Sequence, residues 1–190
     1  MSVFSVVDQV CQFLGGPYDP ESHTYRTPQL VLAGTSPVVR RAAPHFDDHE
    51  QDFYAVGAAG VPIGVLIEVF NEEGADVRIA GGQPGLREVH HRLVMNVFMR
   101  ALKEKAEDLQ DAQYQLLDVI RGKLYSDRTA GSGGFEAGFA NGETIGFQTG
   151  EASEGQSWFR WKMYPVETTP KGLSKTFIYI EFDAVEFRQA

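Results

Sequence analysis

The sequence predicts an α+β fold: a mostly antiparallel sheet with a long helix packed on one face and a short N-terminal helix. Three observations carry that expectation. From Glu88 to Arg100, Val89, Leu93, Met95, Val97 and Met99 share one face at period two, with His91 among them. His90, Arg92, Asn96 and Arg100 take the other face, interrupted by Val94 and Phe98. Such a strand has one face in a core and one face partly wet. A long helix follows from about Leu102 to Tyr125. Leu102, Ala106, Leu109, Leu116, Ile120 and Leu124 recur at spacings of three, four and seven, which makes an apolar stripe. Finally, the elements come in the order helix, strands, helix, strands, which groups strands together as an α+β fold does.

Taken from the N-terminus, Val3 to Leu14 is an amphipathic helix. Val3, Val6, Val7, Val10, Cys11 and Leu14 form its stripe, and Gly15-Gly16 ends it. Pro17 to Thr27 reads as loop, and Gln29 to Ala33 as a short strand. Ser36 to Asp52 is polar, with Arg40-Arg41 ahead of the acidic Asp47, Asp48 and Glu50. Its composition predicts an extended or irregular arm ordered by a partner.

Phe53 to Val56 is a further strand candidate, and Val61 to Asn71 a strong one. In the latter, Val65, Ile67 and Val69 alternate with Leu66, Glu68 and Phe70. Asn71-Glu72-Glu73-Gly74 reads as a turn and Ala75 to Ala80 as the returning strand of a hairpin. Gly81 to Gly85 is a loop into the long strand. Beyond the helix, Gly131, Gly133, Gly134 and Gly138 interleave with Phe135 and Phe139. That glycine-rich stretch is expected to order against a neighbouring subunit or partner. Three strands close the chain: Thr144 to Gln148, Trp158 to Tyr164 and Ser174 to Phe187. The division expected is a helix over 1–16, an arm over 17–52 and an α+β domain over 53–190.

The chain has 190 residues, enough for one domain with extensions or a small domain pair. A lone Cys11 excludes an internal disulfide framework and a cysteine zinc site, and fits a reducing cytosol. No apolar run is long enough to cross a membrane as a helix. The N-terminus lacks a basic region followed by an apolar run, so no secretory signal is expected. A net charge of −9 argues against a nucleic-acid clamp, which needs a basic stripe. It leaves room for a surface past which DNA slides without sticking.

Chemistry is sparse. His45 and His49 stand four apart with Asp47 and Asp48 between them. That spacing suits a metal only on a helix, and Pro44 suggests loop, so no metal is expected. His90 and His91 point to opposite faces of a strand. The glycine-rich stretches do not precede helices, and no phosphate-binding loop or nucleophile elbow occurs. No catalytic residue and no cofactor is expected.

Two surfaces carry more information. Glu104, Glu107, Asp108, Asp111 and Asp118 cluster opposite the apolar stripe of the long helix. This acidic ridge is either an ordinary solvated face or a surface that meets, or repels, a macromolecule. In the strand Trp158 to Tyr164, period two sends Trp158 and Trp161 to opposite faces. One large aromatic then lies outside the core, under a second covering layer or at a subunit interface.

The order of short motifs completes the reading. Val77-Arg78-Ile79-Ala80-Gly81-Gly82 precedes the long strand. Lys105-Ala106-Glu107-Asp108-Leu109-Gln110-Asp111-Ala112 opens the helix, and Ser126-Asp127-Arg128-Thr129-Ala130-Gly131 leaves it. In that order and spacing, over roughly Phe53 to Phe187, the chain resembles the tail-terminator (tail-completion) proteins of siphophages, in particular those of actinobacterial phages. Pro17 to Asp52 is longer than the family pattern leads one to expect, and nothing is carried over there.

The resemblance implies a structural virion protein and not an enzyme. It implies a ring, a homohexamer, at the head-proximal end of the tail tube, which stops tube polymerisation and joins tail to neck. Its partners would be its own copies, the tail-tube protein and a head-closure or neck protein. DNA would pass through without specific binding, and no membrane would be involved. The place implied is the tail–neck junction of the virion, and the host cytoplasm during assembly. Interface anchors expected are Arg128, Phe135, Phe139, Trp158 and Trp161. The acidic ridge would line the DNA passage or pair with Arg40 or Arg41 of the next subunit. Two other classes compete: a different neck ring such as a head-closure protein, and a soluble small-molecule-binding or catalytic domain.

Overall fold

The structure is a computed structural model that describes residues 3–21, 24–25, 37–41, 63–80, 86–102, 105–127, 130, 146–149, 158–170 and 172–189. The helices are α1 (Val3–Gly15) and α2 (Ala106–Ser126). The strands are β1 (Tyr18–Asp19), β2 (Thr24–Tyr25), β3 (Val38–Arg40), β4 (Ile63–Ala80), β5 (Leu86–Leu102), β6 (Gly146–Thr149), β7 (Phe159–Met163), β8 (Glu167–Thr168) and β9 (Leu173–Gln189). Among the described residues these strands form one sheet in the order β1-β2-β3-β4-β5-β9-β6, with β7 and β8 also pairing with β9. Every pairing is antiparallel except β3 with β4. The fold is α+β, with a mostly antiparallel sheet and the short and long helices the sequence predicts.

The sheet is built on β5, which pairs along its whole length with β4 on one edge and β9 on the other. The registers stack the apolar positions in rows. Val97 lies opposite Ile67 and Ile178, and Met95 opposite Val69 and Ile180. These residues join Val6, Val10 and Leu14 of α1 and Leu109, Leu116, Ile120 and Leu124 of α2 in one buried core. Both helices therefore cover the same face, and the odd-numbered positions of β5 supply that face, as their period predicts.

Three expectations are corrected. The long helix does not begin near Leu102, which is the last residue of β5. It begins at Ala106, with Lys105 ahead of it. An apolar residue at a strand end can match helical spacing without belonging to the helix.

Asn71-Glu72-Glu73-Gly74 is not a turn either. β4 runs on through it to Ala80, and Glu72 is the extra residue of a bulge between Asn71 and Glu73. The Asn71 carboxamide nitrogen donates to the carbonyls of Arg92 at 2.9 Å and Glu73 at 2.8 Å. A bulge and a turn draw on the same residue types, and here the side-chain amide satisfies carbonyls the bulge displaces from the ladder. The hairpin thus joins β4 to β5, rather than two halves of β4.

Finally, the stretch expected as loop and arm contributes β1, β2 and β3 to the sheet. The strand candidates Gln29 to Ala33 and Phe53 to Val56 lie outside the described residues.

α1 ends as its sequence predicts. Gly16 takes a φ of 85°, and its amide donates to the Gln12 carbonyl at 2.8 Å, the left-handed helix stop glycine permits. Gly15 is needed for a different reason: a Cβ there would lie 2.6 Å from the Tyr25 Cβ and 2.9 Å from that of Val39. The end of α1 sits directly on β2 and β3.

α2 covers only part of the sheet. Its 21 residues span about 32 Å, whereas the 17 residues of β5 span about 56 Å. Val89, expected to pack under the helix, is buried but lies outside the helix-covered cluster. Leu116 is fully buried at the middle of the contact. Leu116→Ala is expected to lower unfolding free energy by about 2–5 kcal/mol in urea denaturation. A loss below about 0.5 kcal/mol would mean that α2 is not docked as described.

Candidate functional site

The described surface with the most distinctive chemistry is the flank of α2 that faces β7. Among the described residues β7 pairs with β9 only. Its register sets Phe159 opposite Phe182 and Trp161 opposite Ile180, so both point to the helix side. Phe159 is buried, but Trp161 lies further along the edge and is 46 % exposed. From α2, Tyr114 and Tyr125 stand out at 54 % and 49 % exposed.

The side chains here are in contact. Arg121 holds its guanidinium carbon 5.6 Å from the ring centroids of both Tyr125 and Trp161. The Tyr125 ring lies 4.7 Å from that of Trp158, which lies 5.8 Å from Phe159. A cation held between two aromatic faces is attracted by both and loses freedom without losing access to water. Trp, Tyr and Arg are the residue types that most often anchor protein interfaces, because they bury large area at small entropic cost.

Trp158 and Trp161 therefore do not lie on opposite faces. Trp158 precedes β7, so the pleat does not govern it, and it turns toward Tyr125 while partly packed on the core. Both tryptophans meet the same flank of α2. Of the other anchors expected, Arg128, Phe135 and Phe139 lie outside the described residues.

On the acidic ridge, Glu107, Asp108, Asp111 and Asp118 are exposed. Glu104 lies outside the described residues. Asp108 pairs with Lys105 at 2.9 Å, whereas Glu107, Asp111 and Asp118 have no ion-pair partner among the described residues. Glu107 and Asp108 lie in the first turn, where the helix dipole favours them. Tyr114, Arg121 and Tyr125 were not singled out from sequence. The signal is there in the steps of three and four that join Asp111, Tyr114, Asp118, Arg121 and Tyr125 along the side away from the apolar stripe.

Three polar groups elsewhere have structural work. Asp8 of α1 accepts hydrogen bonds from the Tyr25 hydroxyl, from Arg41 at 2.8 Å and from Gln12 at 2.7 Å. Arg41 also stacks 4.2 Å over the Tyr18 ring. This network ties α1 to β1, β2 and the end of β3. It engages Arg41 within its own subunit, which counts against Arg41 as a partner for a neighbour's acidic ridge. Burial, then the nearby Asp8 charge, pushes the Cys11 thiol well above its usual range, which disfavours a nucleophilic thiolate.

The second group is buried between the long strands. His91 Nε2 lies 3.2 Å from Glu186 Oε2, with both side chains fully buried. His91 Nδ1 lies 3.4 Å from the Asn71 carboxamide. This chain of contacts links β4, β5 and β9 beside the bulge.

The third group is Glu68, buried on the sheet face away from the helices and next to Asn96 and Arg40. Burial pushes its carboxyl up from an ordinary 4.5 to about 7, although the Asn96 hydrogen bond and the Arg40 charge oppose the shift. Among the described residues no group of three or more His, Cys, Asp or Glu side chains is arranged to hold a metal.

No family model matches the chain, and no curated protein matches it.

Glu68 gives a pH test. Its folded-state pKa lies above its unfolded value, so folding favours the protonated form, and its contribution is lost as pH rises through about 7. Unfolding free energy measured between pH 4.5 and 7 should carry a falling component that Glu68→Gln removes. Identical slopes in the two proteins would show that Glu68 is ionised throughout.

Proposed function

We propose that this chain is a structural virion protein, a subunit of a homohexameric ring that caps the head-proximal end of a phage tail tube. The ring stops tube polymerisation and joins the tail to the neck. The observation that carries the reading is the order and spacing of the three sequence motifs, which resemble those of siphophage tail terminators. Their described parts fall where long elements meet. Val77 to Ala80 end β4, Lys105 to Ala112 open α2, and Ser126 and Asp127 leave it. Residues in such places set how elements are joined, so matches there say more about shared architecture than matches in a generic apolar stripe.

Two surface features support the reading. Trp161, Tyr125 and Arg121 form an exposed patch of the composition that anchors subunit contacts. The carboxylates Glu107, Asp111 and Asp118, which have no ion-pair partner among the described residues, repel a phosphate backbone. A ring that carries them beside its opening lets DNA slide past without specific binding. The partners in this reading are other copies, the tail-tube protein and a head-closure or neck protein. No cofactor and no membrane enters it.

The test is electron microscopy of the protein mixed with its tail-tube protein, together with a phage that lacks it. Rings at tube ends are expected, and the phage should make tails of uncontrolled length that fail to join heads. Tails of normal length beside filled heads that leak DNA would make the chain a head-closure component instead. Bare tube ends in the mixture would remove the terminator reading.

A further inference from the structure

We propose that the free chain forms a two-fold dimer through α2, with the helices of two copies antiparallel and joined along the exposed stripe Asp111, Tyr114, Asp118, Arg121 and Tyr125. All five are exposed, and Tyr114, Tyr125 and Trp161 are three of the four exposed large apolar side chains of the described surface. Their steps of three and four keep them on one line along a helix, the spacing that lets two helices pack side by side.

The stripe is complementary to itself when one copy is reversed. Asp118 and Arg121 stand at equal distances on either side of a centre between Val119 and Ile120, and so do Tyr114 and Tyr125. An antiparallel pair about that centre sets Asp118 of each copy against Arg121 of the other. It sets Tyr114 against Tyr125 at both ends. A parallel pair would set Asp118 against Asp118 and Arg121 against Arg121, which repels. A two-fold contact uses the same patch twice, so it requires this self-complementarity.

Each charged group is free to take part. Neither Asp118 nor Arg121 has an ion-pair partner among the described residues. Arg121 is exposed, and its guanidinium carbon lies 5.6 Å from the ring centroids of both Tyr125 and Trp161. Trp161 widens the contact beyond the two helices.

This pairing concerns the free chain and does not rest on the ring reading. Trp161 and Arg121 serve one contact at a time, so a ring closed through Trp161 draws on released single chains.

Sedimentation velocity over a range of concentrations tests it, with circular dichroism to confirm that each variant folds. The parent chain should sediment as a dimer that weakens with salt. Asp118→Arg alone faces Arg121 of its partner with a like charge, and Arg121→Asp alone faces Asp118. Each variant by itself should be monomeric. An equal mixture of the two should dimerise again, because one copy then offers two arginines to the two aspartates of the other. A parent chain that stays monomeric, single variants that dimerise like the parent, or a mixture that stays monomeric would each overturn the proposal.

Discussion

Every long-range feature of this molecule depends on β5 being hydrogen-bonded along both edges. A strand of that length held by β4 and β9 cannot slip by one residue without moving Leu93, Met95, Val97 and Met99 out of the core. The register then fixes which side chains of β4 and β9 line the same face, and so where α1 and α2 can dock. β7 and β8 depend on it at one remove, because both pair with β9. The patch that joins Trp161 to Arg121 and Tyr125 exists because β9 places β7 next to α2.

The two faces of the sheet solve different problems. The helix side is mainly apolar where α1 and α2 cover it, with Gln113 of α2 donating a hydrogen bond to Thr176 of β9 within it. The other side mixes ion pairs with a small apolar cluster. Arg160 meets Glu181 at 3.0 Å, and Arg92 meets Glu73 at 3.2 Å. Phe98 and Phe177 stack at 5.0 Å, and Leu66 is fully buried beside Val38. Pairs as exposed as these stabilise little, but alternating charge along neighbouring strands penalises any shifted register. Cover on the helix side ends before the sheet does, since α2 reaches a little over half the length of β5. Beyond it the buried His91–Glu186 pair marks a part of the sheet where polar contacts, rather than the helix, set the packing.

The fold was legible where periodicity is long and uninterrupted. β5, β9 and α2 each keep one period along their core-facing side, and the structure follows it there. The boundaries were harder. Leu102 fits both a strand end and a helical stripe, and its pairing with Leu173 of β9, which spacing cannot show, decides for the strand. The Asn71 to Gly74 sequence reads as a turn because its residue types favour one, but a bulge uses the same chemistry within a continuing strand. The two-residue strands β1 and β2 are too short to leave any period. The candidate site was half legible. Trp161 was named because a second tryptophan in a short strand is conspicuous. Tyr114, Arg121 and Tyr125 are less legible, because the acidic residues dominate the same side of α2 and no single period marks an aromatic–arginine patch. Period two separates Trp158 from Trp161 only if both lie in the strand, and Trp158 precedes β7.

The central structural claim is that β5, held on both edges, is the rigid element that positions everything else. Native-state hydrogen exchange resolved by residue tests it most directly. The amides of β5 between Leu93 and Met99 should be among the slowest in the chain, opening only with global unfolding, while those of β7 exchange faster. Amides in β5 that exchange as fast as those of β7, or a slowest set confined to α1, would contradict the account.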